Sequence, residues 1–273
     1  MQWVSVNSQS FNENGAAEEA NHLIMVAGHS VTISGHLQDA GIDESDWFLL
    51  PYQKGKGLPQ TIVGHIREGI KIAANDPNSL LIFSGGETRE LTGPINEGTS
   101  YFRVADAMHL WEEGAAFGKS VRARTLSEEF ATDSYQNLLF SICRFKEITG
   151  RYPEKITTVS FTFKRRRFES MHAPALLWPA DKFVYIGVDP DPSTGFNLSE
   201  AEKGEQENAA KPFEADPYGC HTNVLIEKRK GRNPFHRTPP YELTCPEMKE
   251  LLQWCGVEII PGEKVPWGYA FGN

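Results

Sequence analysis

Residues 79–86 read SLLIFSGG, an apolar run that ends in two glycines, as is typical of a buried parallel strand followed by a tight turn. A similar run, HLIMVAG, occupies residues 22–28. Between the two, isoleucine recurs at helical spacing in residues 58–77, and Asp76 and Pro77 supply the end of that helix. The order strand, helix, strand predicts two parallel strands that are neighbours or near neighbours, because such crossovers are right-handed.

The alternation of strands and helices continues along the chain. We expect helices within residues 95–113 and 132–150, and strands at residues 118–126, 155–163 and 182–188. Strands that alternate with helices build a sheet covered on both faces. The sequence therefore predicts an α/β fold, a Rossmann-like three-layer sandwich with a mainly parallel sheet of about five strands.

The composition of the chain changes at both ends of this region. Residues 1–21 are polar and lack periodicity, which predicts a flexible N-terminal arm. Residues 22–190 form the predicted Rossmann-like domain. Residues 191–273 are rich in proline and turn residues, and we expect a C-terminal extension packed on the same domain, with helices near 199–210 and 244–254.

Charge and apolar content limit the function classes. The 273 residues include 27 basic and 36 acidic side chains, a formal net charge of −9. Such a balance disfavours nonspecific binding to nucleic acid or to an anionic membrane surface. With no apolar run of membrane-spanning length and no secretory signal at the start, the sequence predicts a cytoplasmic protein with a small-molecule partner.

The cysteines carry no recognisable metal motif. Cys143, Cys220, Cys245 and Cys255 are widely scattered, with no close pair and no tight cluster with histidine. Zinc sites need such clusters. We therefore expect four free thiols and no metal site.

A ligand crevice is expected at the carboxyl ends of the strands, where the following loops converge. The candidate ligand-binding residues follow the predicted strands or begin the helix at 132–150: Gly28, Ser84, Gly85, Gly86, Asp133, Ser134, Asn137, Lys164 and Arg167. The candidate catalytic residues are Glu97, as a general base or hydrogen-bond acceptor, and His29, as an acid or base beside it. Each has a structural alternative: a glutamate near a helix start is favoured by the helix dipole, and a lone histidine after a strand is often structural.

Two of these candidates have specific local alternatives. Gly85 and Gly86 permit an anion-binding nest of successive N–H groups, but equally a plain tight turn, and they fit neither the P-loop nor the dinucleotide fingerprint. Asp133, with Gln136 three residues later, fits a capping box better than a catalytic role. Serine catalysis is not indicated, because the chain has no G-x-S-x-G elbow and no evident histidine partner for a serine.

The densest basic cluster of this acidic chain is FKRRR, residues 163–167. Lys164 and Arg167 are three apart at a predicted helix start, so they share a face and can clamp a phosphate or carboxylate. Arg165 and Arg166 fall elsewhere on the helix. The alternatives are a nuclear-localisation or nucleic-acid patch and a purely structural set of ion pairs.

The order of these motifs, from the strand ending in SGG through NEG at 96–98 and TDSYQN at 132–137 to FKRRR at 163–167, resembles domain of unknown function 218, the family of the bacterial SanA, YdcF and ElyC proteins. DSYQNLLFSICRFKEITG and FKRRRF are most similar to its fungal branch. The resemblance covers residues 22–190 and implies the same fold. It matches the family's acidic, asparagine and arginine positions to Glu97, Asn137 and Arg167.

The chain departs from the bacterial pattern at Gln136, which replaces a glutamate, and at Lys164, which replaces a histidine. Because a lysine normally stays charged, proton transfer by that histidine would be lost while anion binding would survive. The resemblance also implies S-adenosylmethionine as a possible ligand, since a bacterial member is reported to bind it. We expect an intracellular enzyme, a hydrolase or transferase, that acts on a small anionic or nucleotide-like metabolite; the alternative is a non-catalytic ligand-binding or regulatory protein.

Overall fold

The computed structural model describes residues 19–112 and 121–268. Its strands are β1 His22–Ala27, β2 Ser79–Ser84, β3 Thr125–Glu128, β4 Lys155–Ser160 and β5 Phe183–Gly187. They form one sheet in the order β3-β2-β1-β4-β5, and every neighbouring pair is parallel. This confirms the predicted Rossmann-like α/β fold. Most of the predicted arm at 1–21, and residues 113–120, lie outside the described residues.

Helices cover both faces of the sheet. Those before the C-terminal extension are α1 Leu58–Asn75, α2 Glu97–Ala107, α3 Ser134–Thr149 and α4, which joins Arg165–Arg167, a π-helical turn Phe168–His172 and Ala173–Ala175. Those that follow are α5, which joins Leu198–Glu205, a π-helical turn Gln206–Ala210 and Lys211–Ala215, then α6 Asn223–Gly231, α7 Tyr241–Thr244 and α8 Lys249–Leu252. Among the described residues, no helix combines the length and apolar character needed to cross the lipid bilayer.

Strands β1 and β2 are buried on both faces, as their unbroken apolar runs require, whereas the edge strand β5 exposes Val184. Alternate side chains of β1 enter two different cores: Leu23 packs on the α3 side and Ile24 on the α1 side. Helix α1 approaches the sheet closely at Gly69, where an added Cβ would lie 2.6 Å from Val26 Cγ2. The α1 side is a compact apolar core, while the α3 side also takes in buried residues of the extension, such as Trp267.

The prediction of four free thiols is wrong. Cys220 and Cys255 form a disulfide across a sequence separation of 35, whereas Cys143 and Cys245 are free and buried. The fold brings the pair together because the turn after Asp216 packs against the end of α8: the His221 ring contacts the Cys255 carbonyl at 2.7 Å. The spacing along the sequence gives no sign of this contact.

Candidate functional site

A cavity of about 500 Å³ opens at the carboxyl edge of the sheet. Most of the predicted site residues lie in its wall: Gly28, His29, Glu97, Asp133, Ser134, Asn137, Lys164 and Arg167. Three predicted residues do not line it: Ser84, Gly85 and Gly86. The loops after β1 and β4 and the starts of α2 and α3 meet here, which is the position expected for a ligand in an open parallel sheet.

The glycine pair after β2 is a tight turn and does not form the anion nest considered from the sequence. The Gly85 N–H donates to the Glu128 carbonyl at 3.0 Å, and the Gly86 N–H donates to the Ala131 carbonyl at 2.8 Å. Both donors are therefore used to join β2 to the loop after β3. Both glycines are among the described residues, and neither has a positive φ.

Ser84 also has a structural role. Its side chain is fully buried, and its Oγ donates to Glu128 Oε2 at 2.7 Å. Asn137 Nδ2 donates to the Ser84 carbonyl at 3.0 Å, which fixes the asparagine at the cavity wall. These contacts tie the start of α3 to the end of β2, so Asn137 presents a positioned amide to the cavity.

Glu97 occupies the wall because glycines make room for it. A Cβ built on Gly85 would lie 2.5 Å from Glu97 Oε2, and one built on Gly28 would lie 2.6 Å from the same oxygen. Helix α2 begins here because the Asn96 side chain accepts the Thr99 N–H at 2.6 Å. Thr88 Oγ1 donates to Glu97 Oε1 at 2.7 Å, which holds the carboxylate in place.

His29 is bonded through both ring nitrogens. Its Nδ1 lies 3.2 Å from Lys164 Nζ and its Nε2 lies 3.1 Å from Ser160 Oγ, while the ring packs on Phe161 at a centroid distance of 4.6 Å. Burial, together with the charge of Lys164, holds the pKa of His29 well below its usual value, so the ring is neutral. When Lys164 is an ammonium it can only donate to Nδ1, and the imidazole proton then lies on Nε2. The arrangement suits a residue that positions Lys164.

Lys164 ends the 3₁₀ turn that follows β4. Its Nζ lies 5.2 Å from the centroid of the Phe161 ring, and among the described residues it forms no ion pair with a carboxylate. Burial, followed by the charge of Arg167, lowers the pKa of Lys164 to about 7. This direction differs from the ordinary behaviour of lysine expected from the sequence, because desolvation and cationic neighbours both disfavour the ammonium form.

Arg167 shares the cavity with Lys164, as the three-residue spacing predicts. Its Nε lies 3.2 Å from Glu205 Oε1, yet neither atom makes a hydrogen bond. The two opposite charges therefore neutralise each other, but the Nε donor and the Oε1 acceptor have no hydrogen-bond partner. Arg165 and Arg166 turn away and pair with surface carboxylates of α4 and α5.

Four further cations in the wall were not predicted from the sequence: Lys56, from the segment before α1, and the three described next. Arg232 and Lys228 come from the C-terminal extension, and Arg89 comes from the loop after β2. Arg232 Nη1 donates to the Thr132 carbonyl at 3.1 Å, Lys228 Nζ to the Asn208 carbonyl at 3.1 Å and Arg89 Nη2 to the His29 carbonyl at 3.2 Å. None of the three pairs with a carboxylate of the described residues. The run EKRKGR at residues 227–232 shows that this part of the extension is basic, but the sequence does not show where the extension packs.

The start of α3 confirms Asp133 as an N-cap. Its Oδ1 accepts the Gln136 N–H at 2.9 Å, and its Oδ2 accepts from Arg229 Nε at 2.6 Å. Burial alone would raise the pKa of Asp133, but Arg229 and the cap hydrogen bond hold it below its usual value. Both carboxylate oxygens therefore have partners within the protein.

Ser134 has a histidine partner that its sequence spacing did not reveal. Its Oγ lies 2.7 Å from His172 Nε2. Burial, with Arg167 nearby, holds the pKa of His172 well below its usual value, and its Nδ1 has no partner among the described residues. In a catalytic triad a carboxylate accepts a hydrogen bond from that second nitrogen, so Ser134 and His172 do not form a triad.

Comparison with known proteins identifies one relative. The chain is 30% identical to the uncharacterised protein YOR238W of Saccharomyces cerevisiae over 285 aligned residues, which cover 88% of this chain and 93% of the yeast protein. The chain belongs to the family of that yeast protein. No protein-family model matches it, and no solved structure matches it.

Charge distinguishes this cavity from the rest of an acidic molecule. Its wall carries the cations Lys56, Arg89, Lys164, Arg167, Lys228 and Arg232 and the carboxylates Glu97, Asp133, Glu200 and Glu205. Within residues 19–112 and 121–268, no group of three or more histidine, cysteine, aspartate or glutamate side chains converges as metal ligands would. The arrangement is suited to binding an anion directly with lysine and arginine.

Proposed function

We propose that this protein is an enzyme that binds a small anionic metabolite, with a phosphate or carboxylate group, in the cavity at the carboxyl edge of the sheet. The observation that carries the proposal is that Lys164, Arg89 and Arg232 face this cavity and none of them pairs with a carboxylate of the described residues. All three are half-buried. A partly desolvated cation without a counter-charge is unfavourable, and a bound anion removes that cost.

Two groups in the wall are suited to proton transfer, which supports hydrolysis or group transfer. Glu97 is a candidate general base, because Thr88 holds its carboxylate at the cavity wall. Lys164, with a pKa of about 7, is a candidate general acid that can deliver a proton near neutral pH. His29 then acts by positioning Lys164 through the contact at its Nδ1.

A binding or regulatory protein without turnover is the second candidate. It is favoured by His29, because both of its ring nitrogens already have partners and its pKa is low. Of the predicted catalytic pair, His29 then has no ring nitrogen left for acid or base catalysis, and Glu97 remains. Both functions need the same cations, so turnover of a bound ligand separates them.

We further propose that the family of the yeast protein is part of domain of unknown function 218. The motif order from SGG to FKRRR supports this assignment, as does the parallel sheet that carries those motifs. In the same proposal residues 22–190 form the ligand-binding domain, and residues 191–273 complete its cavity with Lys228 and Arg232.

A cytoplasmic location is also proposed, on the basis of the sequence alone. The observation against it is the Cys220–Cys255 disulfide, because stable disulfides are rare in reducing compartments. Alkylation in cells lysed directly into denaturant, which exposes the buried Cys143 and Cys245, tests the proposal: all four cysteines should react if the protein resides in the cytosol, and only Cys143 and Cys245 if it is exported.

The experiment for the proposed function is a thermal-shift screen of nucleotides, sugar phosphates, organic acids and S-adenosylmethionine, followed by a search for chemical change in each hit. The double variant Lys164→Met, Arg232→Met is compared with Arg166→Met, which removes a cation that points away from the cavity. We expect anionic hits that stabilise the wild type and the control but not the double variant. Equal stabilisation of all three proteins would refute the proposal.

A further inference from the structure

A ladder of aromatic rings runs along one side of the cavity. Phe161 stacks on Phe163 at a centroid distance of 5.0 Å and an angle of 20°, and Phe163 stacks on Phe196 at 6.2 Å and 27°. Phe161 is buried next to His29, whereas Phe163 and Phe196 are only half-buried. All three line the cavity. The ladder therefore begins beside the cations and ends in partly exposed ring faces.

The position of the outer ring is fixed by the turn that precedes α5. The Asp191 side chain accepts the Ser193 N–H at 2.8 Å, and Gly195 takes a left-handed conformation with φ 73°. Lys56 Nζ then donates to the Gly195 carbonyl at 3.1 Å, which joins this turn to the segment before α1. Phe196 is thus presented by a constrained loop, as a binding surface requires.

Three side-chain amides line the same cavity as the outer rings. They belong to Gln53, Asn197 and Asn208, and Asn197 directly follows Phe196 in the chain. Each uses one end of its amide locally: Gln53 Oε1 accepts the Leu50 N–H at 2.9 Å, Asn197 Oδ1 accepts the Glu200 N–H at 3.2 Å and Asn208 Nδ2 donates to the Gly204 carbonyl at 3.0 Å. The other end of each amide has no partner among the described residues. Free amide donors and acceptors beside flat rings suit the polar edge of a heterocycle.

We propose that the anionic ligand is a nucleoside monophosphate, whose base stacks on the outer ring, Phe196, and whose phosphate contacts Lys164 and Arg232. The inference rests on the proposed function, because the phosphate end uses the same cations. It adds an independent requirement, namely that the ligand also carries a flat ring, because a phosphate alone would leave the aromatic ladder and the amides without contacts. The cavity volume of about 500 Å³ lies within the range of sites that enclose small ligands.

The test is calorimetric titration of the intact protein with the four ribonucleoside monophosphates, ribose 5-phosphate and inorganic phosphate. We expect the best nucleotide to bind roughly 10-fold or more tightly than ribose 5-phosphate, because stacking a base on an aromatic side chain has that effect. Phe196→Ala should remove this difference and leave ribose 5-phosphate binding unchanged. Phe102→Ala, which removes a half-buried ring outside the cavity, should change neither.

Two results would overturn the inference, and they have different consequences for the proposed function. If ribose 5-phosphate binds as tightly as every nucleotide, or if Phe196→Ala weakens both ligands equally, the base subsite is wrong while anion binding stands. If no phosphate compound binds, the inference fails, and the proposed function survives only if the thermal-shift screen yields an organic acid that binds through the same cations. Phe196→Leu serves as the second variant, because it keeps apolar volume in the loop while removing the flat face; loss of the nucleotide preference in this variant, with an unchanged melting temperature, supports the proposal independently of the alanine result.

Discussion

Lys164 Nζ lies 3.2 Å from His29 Nδ1, and the ring nitrogen opposite contacts Ser160 Oγ at 3.1 Å. The partner of Lys164 is thus a neutral imidazole, whereas a lysine in such a position usually pairs with a carboxylate. Burial and Arg167 lower the pKa of Lys164 to about 7. An anion in the cavity would supply the missing counter-charge, so the pair explains both a binding site and its dependence on protonation.

Anion binding should therefore take up protons. Because a bound anion stabilises the ammonium form, it raises the pKa of Lys164, and at about pH 8 binding should add a substantial fraction of one proton. Titration with sulfate, whose own charge is constant in this range, in buffers of different ionisation enthalpy measures that uptake. Lys164→Met should abolish it. Proton-independent binding in the wild type would show that Lys164 is already charged without a ligand.

The same lysine should lower stability at neutral and acid pH. Its pKa is about 7 in the folded protein and 10.5 as its ordinary value, so the unfolded chain binds more protons between these values and stability rises with pH across that window. Lys164→Met should raise the free energy of unfolding by on the order of 2 to 4 kcal/mol at about pH 6 and by less at about pH 10. Urea unfolding measures both.

The control for this stability change is Lys155→Met, which removes an exposed lysine at the start of β4. It should have little effect at either pH, because the Lys155 side chain remains exposed to solvent in the folded chain. A Lys164→Met variant that is less stable than the wild type, or whose gain does not shrink at high pH, would contradict a depressed pKa.

Glu97→Gln should separate binding from turnover. The substitution keeps the shape that Gly28 and Gly85 accommodate, so we expect ligand affinity to change only slightly. If the carboxylate is the general base, turnover of a substrate found in the screen should fall by about 10²-fold or more. Thr88→Val, which removes the donor to Glu97, should show a smaller loss. A variant with normal turnover would exclude Glu97 as the base.

The Cys220–Cys255 disulfide should contribute to stability. It closes a segment with a sequence separation of 35, and such a crosslink stabilises by about 3 kcal/mol by restricting the unfolded chain. The double variant Cys220→Ser, Cys255→Ser should unfold at correspondingly lower urea concentration. For protein purified in air without reductant, mass spectrometry after alkylation under denaturing conditions should show modification at Cys143 and Cys245 alone. Alkylation of such a sample at all four positions would contradict the pairing.

Local signals predicted the elements closest to the site. The helix expected at 132–150 is Ser134–Thr149, because Asp133 caps its start and Gly150, with φ 70°, ends it. By contrast, the helix expected at 244–254 is interrupted: Pro246 lacks an N–H donor, and the segment divides into α7, a 3₁₀ turn and α8.

The residues that sequence reasoning missed or misassigned depend on distant contacts. Arg232 reaches the cavity only because the extension, which has no strong periodicity, folds back to the start of α3. For Gly85 and Gly86 the sequence left open both an anion nest and a tight turn, and the tight turn is found because the carbonyls of Glu128 and Ala131 accept the two N–H donors. Spacing along a chain cannot show which backbone groups a neighbouring loop will use.

The most direct test of the central claim is calorimetric titration of inorganic phosphate into the wild type, Arg232→Met and Lys230→Met. Arg232 lines the cavity without a carboxylate partner, whereas Lys230, on α6, is exposed and pairs with Glu227. We expect phosphate to bind the wild type and Lys230→Met equally and Arg232→Met about 10-fold more weakly, as for loss of one charge-assisted contact. Equal affinity in all three proteins, or no binding to the wild type, would contradict an anion site formed by these cations.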